Sequence, residues 1–309
     1  KTTWEANKER STLFKMNINT LISQYEKSEK RFFLLKISTP PIARTLAILN
    51  DLASKKENIV FVINSYSKSV LEILYNRAPN VGLLAENGAY IRLEDNWYNM
   101  ADQIDWKADV VKIFDDKMER LPGSYYKISE SLLKFHTENA IDKERVNGTI
   151  GDIITHINST FQEKNIHAFV HNDVIYVQQN GLSIQALQFL LNYYNSADMN
   201  NNNSNGNGGV TTSIKKLITQ TTKLTLSHNT DSKEDPNTSM IPIDFMLVAG
   251  SASPILDPIF NEINNYTKNE EVQFGHTITY GTGSNSTFAK EHVTGLNELL
   301  SSLNTLSKR

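Results

Sequence analysis

Two short runs of unbroken apolar residues, Phe32-Phe33-Leu34-Leu35 and Ile59-Val60-Phe61-Val62-Ile63, constrain the fold of this chain more than any other feature. A strand with one wet face alternates apolar and polar side chains, so an uninterrupted run predicts a strand covered on both faces. Between the two runs, Leu46, Ile48, Leu49 and Leu52 keep helical spacing over residues 42–53. Strand, helix, strand is a crossover between parallel strands, right-handed in nearly every protein. The alternation resumes with a helix over 70–75 and an apolar segment at 81–85. It returns late in the chain with a helix over 184–194 and an apolar strand over 241–248 that ends at Gly250. The pattern predicts an α/β fold, a mostly parallel sheet with helices on both faces.

Residues 97–182 break the pattern. A charged helix over 106–120 is followed by alternating stretches at 125–135 and 168–177, which flank a helix near 151–164; this reads as an α+β insertion into the core. Ahead of the core, Leu13, Phe14, Met16, Ile18, Leu21, Ile22 and Tyr25 predict an amphipathic leading helix within 4–30. The expected organisation is a leading helix or linker at 1–30, core at 31–96, insertion at 97–182 and core again at 183–309. Two stretches, 195–209 with its run of asparagines and the polar 227–240, hold too little apolar surface to offset the entropy of ordering, and loops are expected there.

Composition narrows the function classes. Lys and Arg total 31 against 34 Asp and Glu, a net charge of −3, so no general basic field draws nucleic acid or anionic lipid. The chain has no cysteine, which removes disulfides, thiolate metal sites and thiol nucleophiles together and fits a reducing, cytoplasmic setting. No apolar run reaches the roughly 20 residues of a membrane span.

The segment Asn80-Val-Gly-Leu-Leu-Ala-Glu-Asn-Gly-Ala-Tyr90 resembles the Gly-Leu-x-Ala-Glu-His-Gly segment of trehalose-6-phosphate phosphatases. Three further segments resemble that family in the same order: Leu121-Pro-Gly-Ser-Tyr-Tyr126 with Leu133-Lys-Phe-His136, Asp244-Phe-Met-Leu-Val-Ala-Gly250, and residues 277–300. The resemblance implies a haloacid-dehalogenase-like, Rossmann-type core with an inserted cap. It also implies a preceding glycosyltransferase-like domain of the synthase type, with which Lys1 as first residue agrees.

Phosphatases of that superfamily use an aspartate nucleophile, a second aspartate as general acid and base, a hydroxyl, a lysine, and magnesium held by carboxylates. By the resemblance, the two aspartates align with Lys36 and Ser38, directly after the first apolar strand. The hydroxyl position aligns with Asn64, the lysine with Ile184, and the metal-binding pair with Ser251 and Ala252. Two sugar-reading glutamates align with Lys127 and Tyr176. No catalytic residue, metal ligand or cofactor is therefore expected.

Glu86, Gly88 and His136 are retained, and a glycine-dependent turn with a capping carboxylate and a hydrogen-bonded structural histidine account for them. His167, His171 and Asp173 lack the partner and spacing of a metal site. The loop from Gly281 to Thr287 is expected to cap the last helix rather than cradle phosphate. Asn147-Gly-Thr149 and Asn158-Ser-Thr160 fit the acceptor triplet for glycosylation but follow from an Asn- and Ser-rich composition. The resemblance implies an inactive, regulatory or scaffolding domain of the kind found in fungal trehalose-synthesis complexes, with trehalose-6-phosphate synthase and phosphatase subunits as partners. Two alternatives are a sugar-phosphate sensor that does not hydrolyse its ligand, and the phosphatase-like tail of an active synthase.

Overall fold

A computed structural model describes residues 13–197, 243–281 and 287–309, with side chains to 194 in the first segment. In chain order the elements are β1 (Phe14–Lys15), α1 (Ile18–Lys27), β2 (Arg31–Lys36), α2 (Ala43–Ser54), β3 (Asn58–Ile63), α3 (Lys68–Leu74), β4 (Gly82–Ala85), β5 (Tyr90–Leu93) and β6 (Asn96–Asn99). An insert follows: α4 (Lys107–Arg120), β7 (Tyr125–Ile128), β8 (Leu132–His136), α5 (Lys143–Thr160), β9 (Ile166–His171) and β10 (Val174–Gln179). The chain returns to the core with α6 (Leu182–Ala197), β11 (Phe245–Ser251), α7 (Leu256–Lys268), β12 (Phe274–Tyr280), β13 (Glu291–His292) and α8 (Leu296–Ser307).

Among the described residues the large sheet has nine strands in the order β1-β13-β12-β11-β2-β3-β4-β5-β6. Pairings from β1 to β4 are parallel, and β5 and β6 add an antiparallel hairpin at one edge. The unbroken apolar runs have the expected cause. Phe33 and Leu35 of β2 face a cluster with Leu21, Leu49, Leu71 and Leu303, from α1, α2, α3 and α8. Phe32 and Leu34 face the opposite cluster with Leu187, Leu190, Ile259 and Phe260, from α6 and α7. Both faces of β2 are dry, so neither can carry polar residues. The chain leaves β2 through α2 toward β3 on one side, and β11 pairs on the other; the crevice of such a sheet lies at the carboxyl ends of strands where the order reverses.

The insert forms a second, antiparallel sheet, β7-β8-β10-β9, with α4 and α5 against one face. Leu133, Phe135, Ile175 and Val177 point to those helices, which sends Lys134, His136 and Tyr176 to the other face.

Several expected boundaries are corrected. Phe14–Lys15 is a short edge strand rather than part of the leading helix, which starts at Ile18 because the Asn17 side chain accepts from Asn19 N and Thr20 N. The insert helix begins at Lys143, about two turns before the expected start near 151, because Asp142 caps it and Val146 and Ile150 extend its buried stripe. The stretches 125–135 and 168–177 are each two strands, not one. Asn172 and Asp173, both at positive φ, make the tight turn between β9 and β10. Glu94 and Asp95 do the same between β5 and β6, a hairpin that lacks the usual Asn-Gly signal.

The helix predicted over 184–194 runs to Ala197, so the first residues of the asparagine-rich stretch are helical. The remainder of that stretch, the polar segment 227–240, and residues 282–286 lie outside the described residues. The loop expected to cap the last helix, 281–287, falls largely outside the described residues, and β13 stands between it and α8. There the N-cap is Gly295, and Glu298 Oε2 accepts from Thr294 N at 2.6 Å and from its hydroxyl at 2.8 Å. Asn147 and Asn158 both sit in α5, and the Asn158 amide pairs with the backbone of Ala168 in both directions, at 2.7 and 3.1 Å.

Candidate functional site

The positions aligned with the family's catalytic segments converge at the carboxyl ends of β2, β3 and β11. Lys36 is the last residue of β2. Ser38 Oγ lies 3.4 Å from Ser251 Oγ at the end of β11, and Asn64 Nδ2 donates to the Ile37 carbonyl at 2.9 Å. Gly250 packs here against Lys36; a Cβ at Gly250 would lie 2.8 Å from Lys36 O. Ala252 follows directly after β11. Ile184 stands apart, in the first turn of α6, packed on the apolar cluster beneath the sheet.

The polar face of the insert sheet closes over this point. Lys36, Ser65, Asn87 and Ser253 of the core meet Phe169, His171 and Tyr176 of the insert, and the space between them is about 10 Å³. That is close to the minimum for one water centre. Tyr176 stacks on Phe169 with ring centroids 5.2 Å apart and 9° between planes. Lys134, opposite Tyr176 in β8, donates to Ser65 Oγ at 2.7 Å, so an ammonium of the insert is fastened to the end of β3. Lys127 lies across from Lys134 in β7.

The electrostatics are those of a partly dry, cationic cleft. Burial lowers the affinity of Lys36 for its proton. Lys134 is pushed down to about 8, by burial first and then by Lys127 and Lys36. His171 is lowered by burial and by Lys36. His136 is also lowered, mainly by burial, against the pull of Glu138, whose carboxylate is 2.9 Å from Nδ1; its ring stacks on Tyr125 at 4.6 Å.

Glu86 and Gly88 do something more specific than hold a local turn. Glu86, Asn87 and Gly88 all have positive φ, and a Cβ at Gly88 would meet the Ser183 backbone and Leu182 O at 3.0 Å. The turn is thereby pressed against the start of α6. Its side chains leave the core: Glu86 Oε1 accepts from Ser131 N at 2.8 Å and Ser131 Oγ at 3.1 Å, and Asn87 Nδ2 donates to Gln178 Oε1 at 2.9 Å. Both partners belong to the insert. The capping carboxylate foreseen in the sequence thus reaches 45 residues along the chain and joins the two layers.

Glu86 is held above the usual carboxylate range, by burial first, with the Ser131 bonds opposing. A raised carboxyl contributes stability that is full below its unfolded value and falls away as pH rises through the folded one. Glu86→Gln is therefore expected to flatten the fall of stability as pH rises above about 4.5, whereas Glu86→Ala, which strands a buried amide, is expected to cost about 2 kcal/mol near pH 5. Urea unfolding of both variants at pH 5 and pH 7 checks this.

The residues do not fit magnesium. The aligned positions offer an ammonium, hydroxyls and a methyl group, where the ion needs carboxylate oxygen. Among the described residues no three His, Asp or Glu side chains come together as a metal site, and His167, His171 and Asp173 are not such a group. What the sequence reading missed is Lys134 with Ser65 and Phe169. The alternation Leu133, Lys134, Phe135, His136 carried the signal for Lys134, since period two places it beside Tyr176.

The family model described as Trehalose-phosphatase matches residues 25–208, more than half of the chain. The chain belongs to the trehalose-phosphatase family. It is 49% identical over 296 residues to the trehalose synthase complex regulatory subunit TSL1 of Saccharomyces cerevisiae, covering 96% of this chain and 26% of that protein. With the regulatory subunit TPS3 of the same yeast it shares 43% over 304 residues, covering 98% and 27%. The chain thus spans about a quarter of the length of these relatives. Among solved structures, the C-terminal domain of the Candida albicans trehalose synthase regulatory protein superposes with a TM-score of 0.79 at 25% identity, covering 94% of this chain and 99% of that one. The trehalose-phosphatase fold therefore accounts for both the parallel sheet and the insert.

Proposed function

We propose that this chain is a non-hydrolysing, phosphatase-like domain that serves as a regulatory or scaffolding part of a trehalose-synthesis complex, in the cytoplasm. The observation that carries the reading is Lys36 at the carboxyl end of β2. An ammonium cannot form an acyl phosphate, and it stands where the family resemblance places the nucleophile. The division into core 31–96, cap 97–182 and core 183–309 is part of the same reading. So are the degenerate positions Ser38, Asn64, Ile184, Ser251, Ala252, Lys127 and Tyr176. The names of the relatives, regulatory subunits of a trehalose synthase complex, support the regulatory role; trehalose-6-phosphate synthase and phosphatase subunits are the partners we propose. Among the described residues no helix is long and apolar enough to cross a membrane.

A fold kept with its chemistry gone is what selection on a surface leaves. The small volume of the closed cleft disfavours the sensor alternative, since sites for sugar-sized ligands occupy roughly 300–1,000 Å³. Affinity purification of the full-length protein from its own cells tests the proposal. Synthase and phosphatase subunits are expected to co-purify in stoichiometric amounts; their absence from reciprocal pull-downs would sink it.

A further inference from the structure

The chain crosses between core and insert twice, over residues 100–106 and at the turn Asn180-Gly181 that joins β10 to α6. Asn180 is exposed in that turn. Its backbone is held, since Asn180 N donates to Asn165 O at 2.9 Å. The neighbouring Gln179 Oε1 accepts from Asp102 N at 2.7 Å, which ties the two crossings together. The Asn180 side-chain amide and the Gly181 N–H, by contrast, have no partner among the described residues. Gly181 has a φ of +80°, and a Cβ there would meet nothing within 4 Å.

An asparagine followed by glycine is the pair least hindered toward cyclisation, because glycine presents its nitrogen with no side chain in the way. Two other such pairs among the described residues are blocked. Asn87 is 1% exposed, and its Nδ2 donates to Gln178 Oε1 at 2.9 Å. Asn147 stands inside α5, where the helical ladder engages the Gly148 N–H and fixes the backbone around it. Asn205-Gly206 and Asn207-Gly208 lie outside the described residues.

From this we infer that Asn180 is a site of spontaneous deamidation, a slow covalent change at the joint between core and insert. The Gly181 nitrogen attacks Asn180 Cγ, the side-chain nitrogen leaves as ammonia with the proton that Gly181 gives up, and a five-membered succinimide closes. Water then opens the ring at one of its two carbonyls, leaving aspartate or isoaspartate. Nothing is oxidised or reduced. Either product adds one negative charge just ahead of α6, whose first turn has no acidic residue and whose N-terminal dipole favours an anion. Isoaspartate also lengthens the main chain by one carbon between the Asn165 bond and the start of α6, and so loosens the joint. The inference does not depend on the non-hydrolysing reading.

The test is incubation of the purified chain at neutral pH and physiological temperature, folded and in urea, with tandem mass spectrometry to locate each deamidated residue. In the folded chain Asn180 is expected to convert at least about tenfold faster than Asn87 and Asn147, which must first open locally. In urea the three pairs share one chemistry, and their rates are expected to converge. An isoaspartate-specific methyltransferase is expected to label the aged chain at residue 180. Asn180→Asp, which carries the charge without the extra carbon, is expected to melt no lower than the parent, whereas the isolated isoaspartyl form is expected to melt lower.

Conversion of Asn180 no faster than that of Asn87 and Asn147 in the folded chain would overturn the inference. So would conversion without isoaspartate, which means direct hydrolysis of the amide with no succinimide. Equal melting points for the isoaspartyl form and Asn180→Asp would overturn the loosening of the joint.

Discussion

Incubated with trehalose-6-phosphate and magnesium, the purified chain is expected to release no phosphate above a no-enzyme blank, and the reversion Lys36→Asp is expected to release none either. Uncatalysed hydrolysis of phosphate monoesters is so slow that enzymes supply up to ~10²¹-fold acceleration, and the parts that supply it act as a unit. Lys36→Asp returns a nucleophile to the end of β2. It leaves Ser38 where the general acid belongs, Ser251 and Ala252 where a metal needs carboxylates, and Ile184 packed on an apolar cluster instead of offering a cation. The transferring phosphoryl group would also lack room while Phe169, His171 and Tyr176 fill the cleft. A malachite-green assay of parent and variant decides the matter. Turnover by either one that survives further purification would overturn the non-hydrolysing proposal.

Removing the Arg31 guanidinium is expected to be the most damaging single truncation of a polar side chain in the core. Arg31 is 7% exposed. Its Nε donates to Asn58 Oδ1 at 2.7 Å, and one terminal nitrogen donates to the carbonyls of Tyr25 at 2.9 Å and Ser28 at 2.8 Å. The guanidinium also lies over the Tyr25 ring, 3.9 Å from its centroid, and Asn58 closes the loop by donating to Tyr25 Oη at 2.8 Å. This network pins the end of α1 to the first residues of β2 and β3. Arg31→Ala strands two buried acceptors, Asn58 Oδ1 and the Ser28 carbonyl, while the Tyr25 carbonyl keeps its bonds from Ser28 N and Oγ; each stranded acceptor costs about 1–3 kcal/mol. A loss of about 4 kcal/mol and a melting point lower by roughly 10 °C follow. Lysine lacks the planar fork, so Arg31→Lys is expected to recover less than half. Urea titration of the three proteins measures this; an unchanged midpoint for Arg31→Ala would show the network to be incidental.

The β2–α2–β3 crossover and the two-sided burial of β2 were legible because their cause is local. A strand dry on both faces has no position for a polar residue, and a helix between parallel strands keeps its period. Boundaries were less legible where a cap or a turn overrode the apolar pattern, as at Asp142 and at the Glu94-Asp95 hairpin. Lys36, Ser38 and Ser251 were proposed as degenerate positions from the family resemblance, in which a replaced carboxylate is a change of a single letter. That Ser38 and Ser251 stand 3.4 Å apart was not visible, since 213 residues separate them.

The sequence by itself determined the α/β class and the absence of cysteine chemistry, because composition and periodicity act through nearest neighbours and need no partner from afar. The tertiary structure alone decided what the retained and replaced residues do. Glu86 and Asn87 became fasteners between core and insert only once Ser131 and Gln178 were brought to them. Lys36 and His171 came to line one small cavity only when the insert sheet folded down on the ends of β2 and β3. Charge interaction and desolvation depend on distance and burial, and neither quantity is written in the order of residues along the chain.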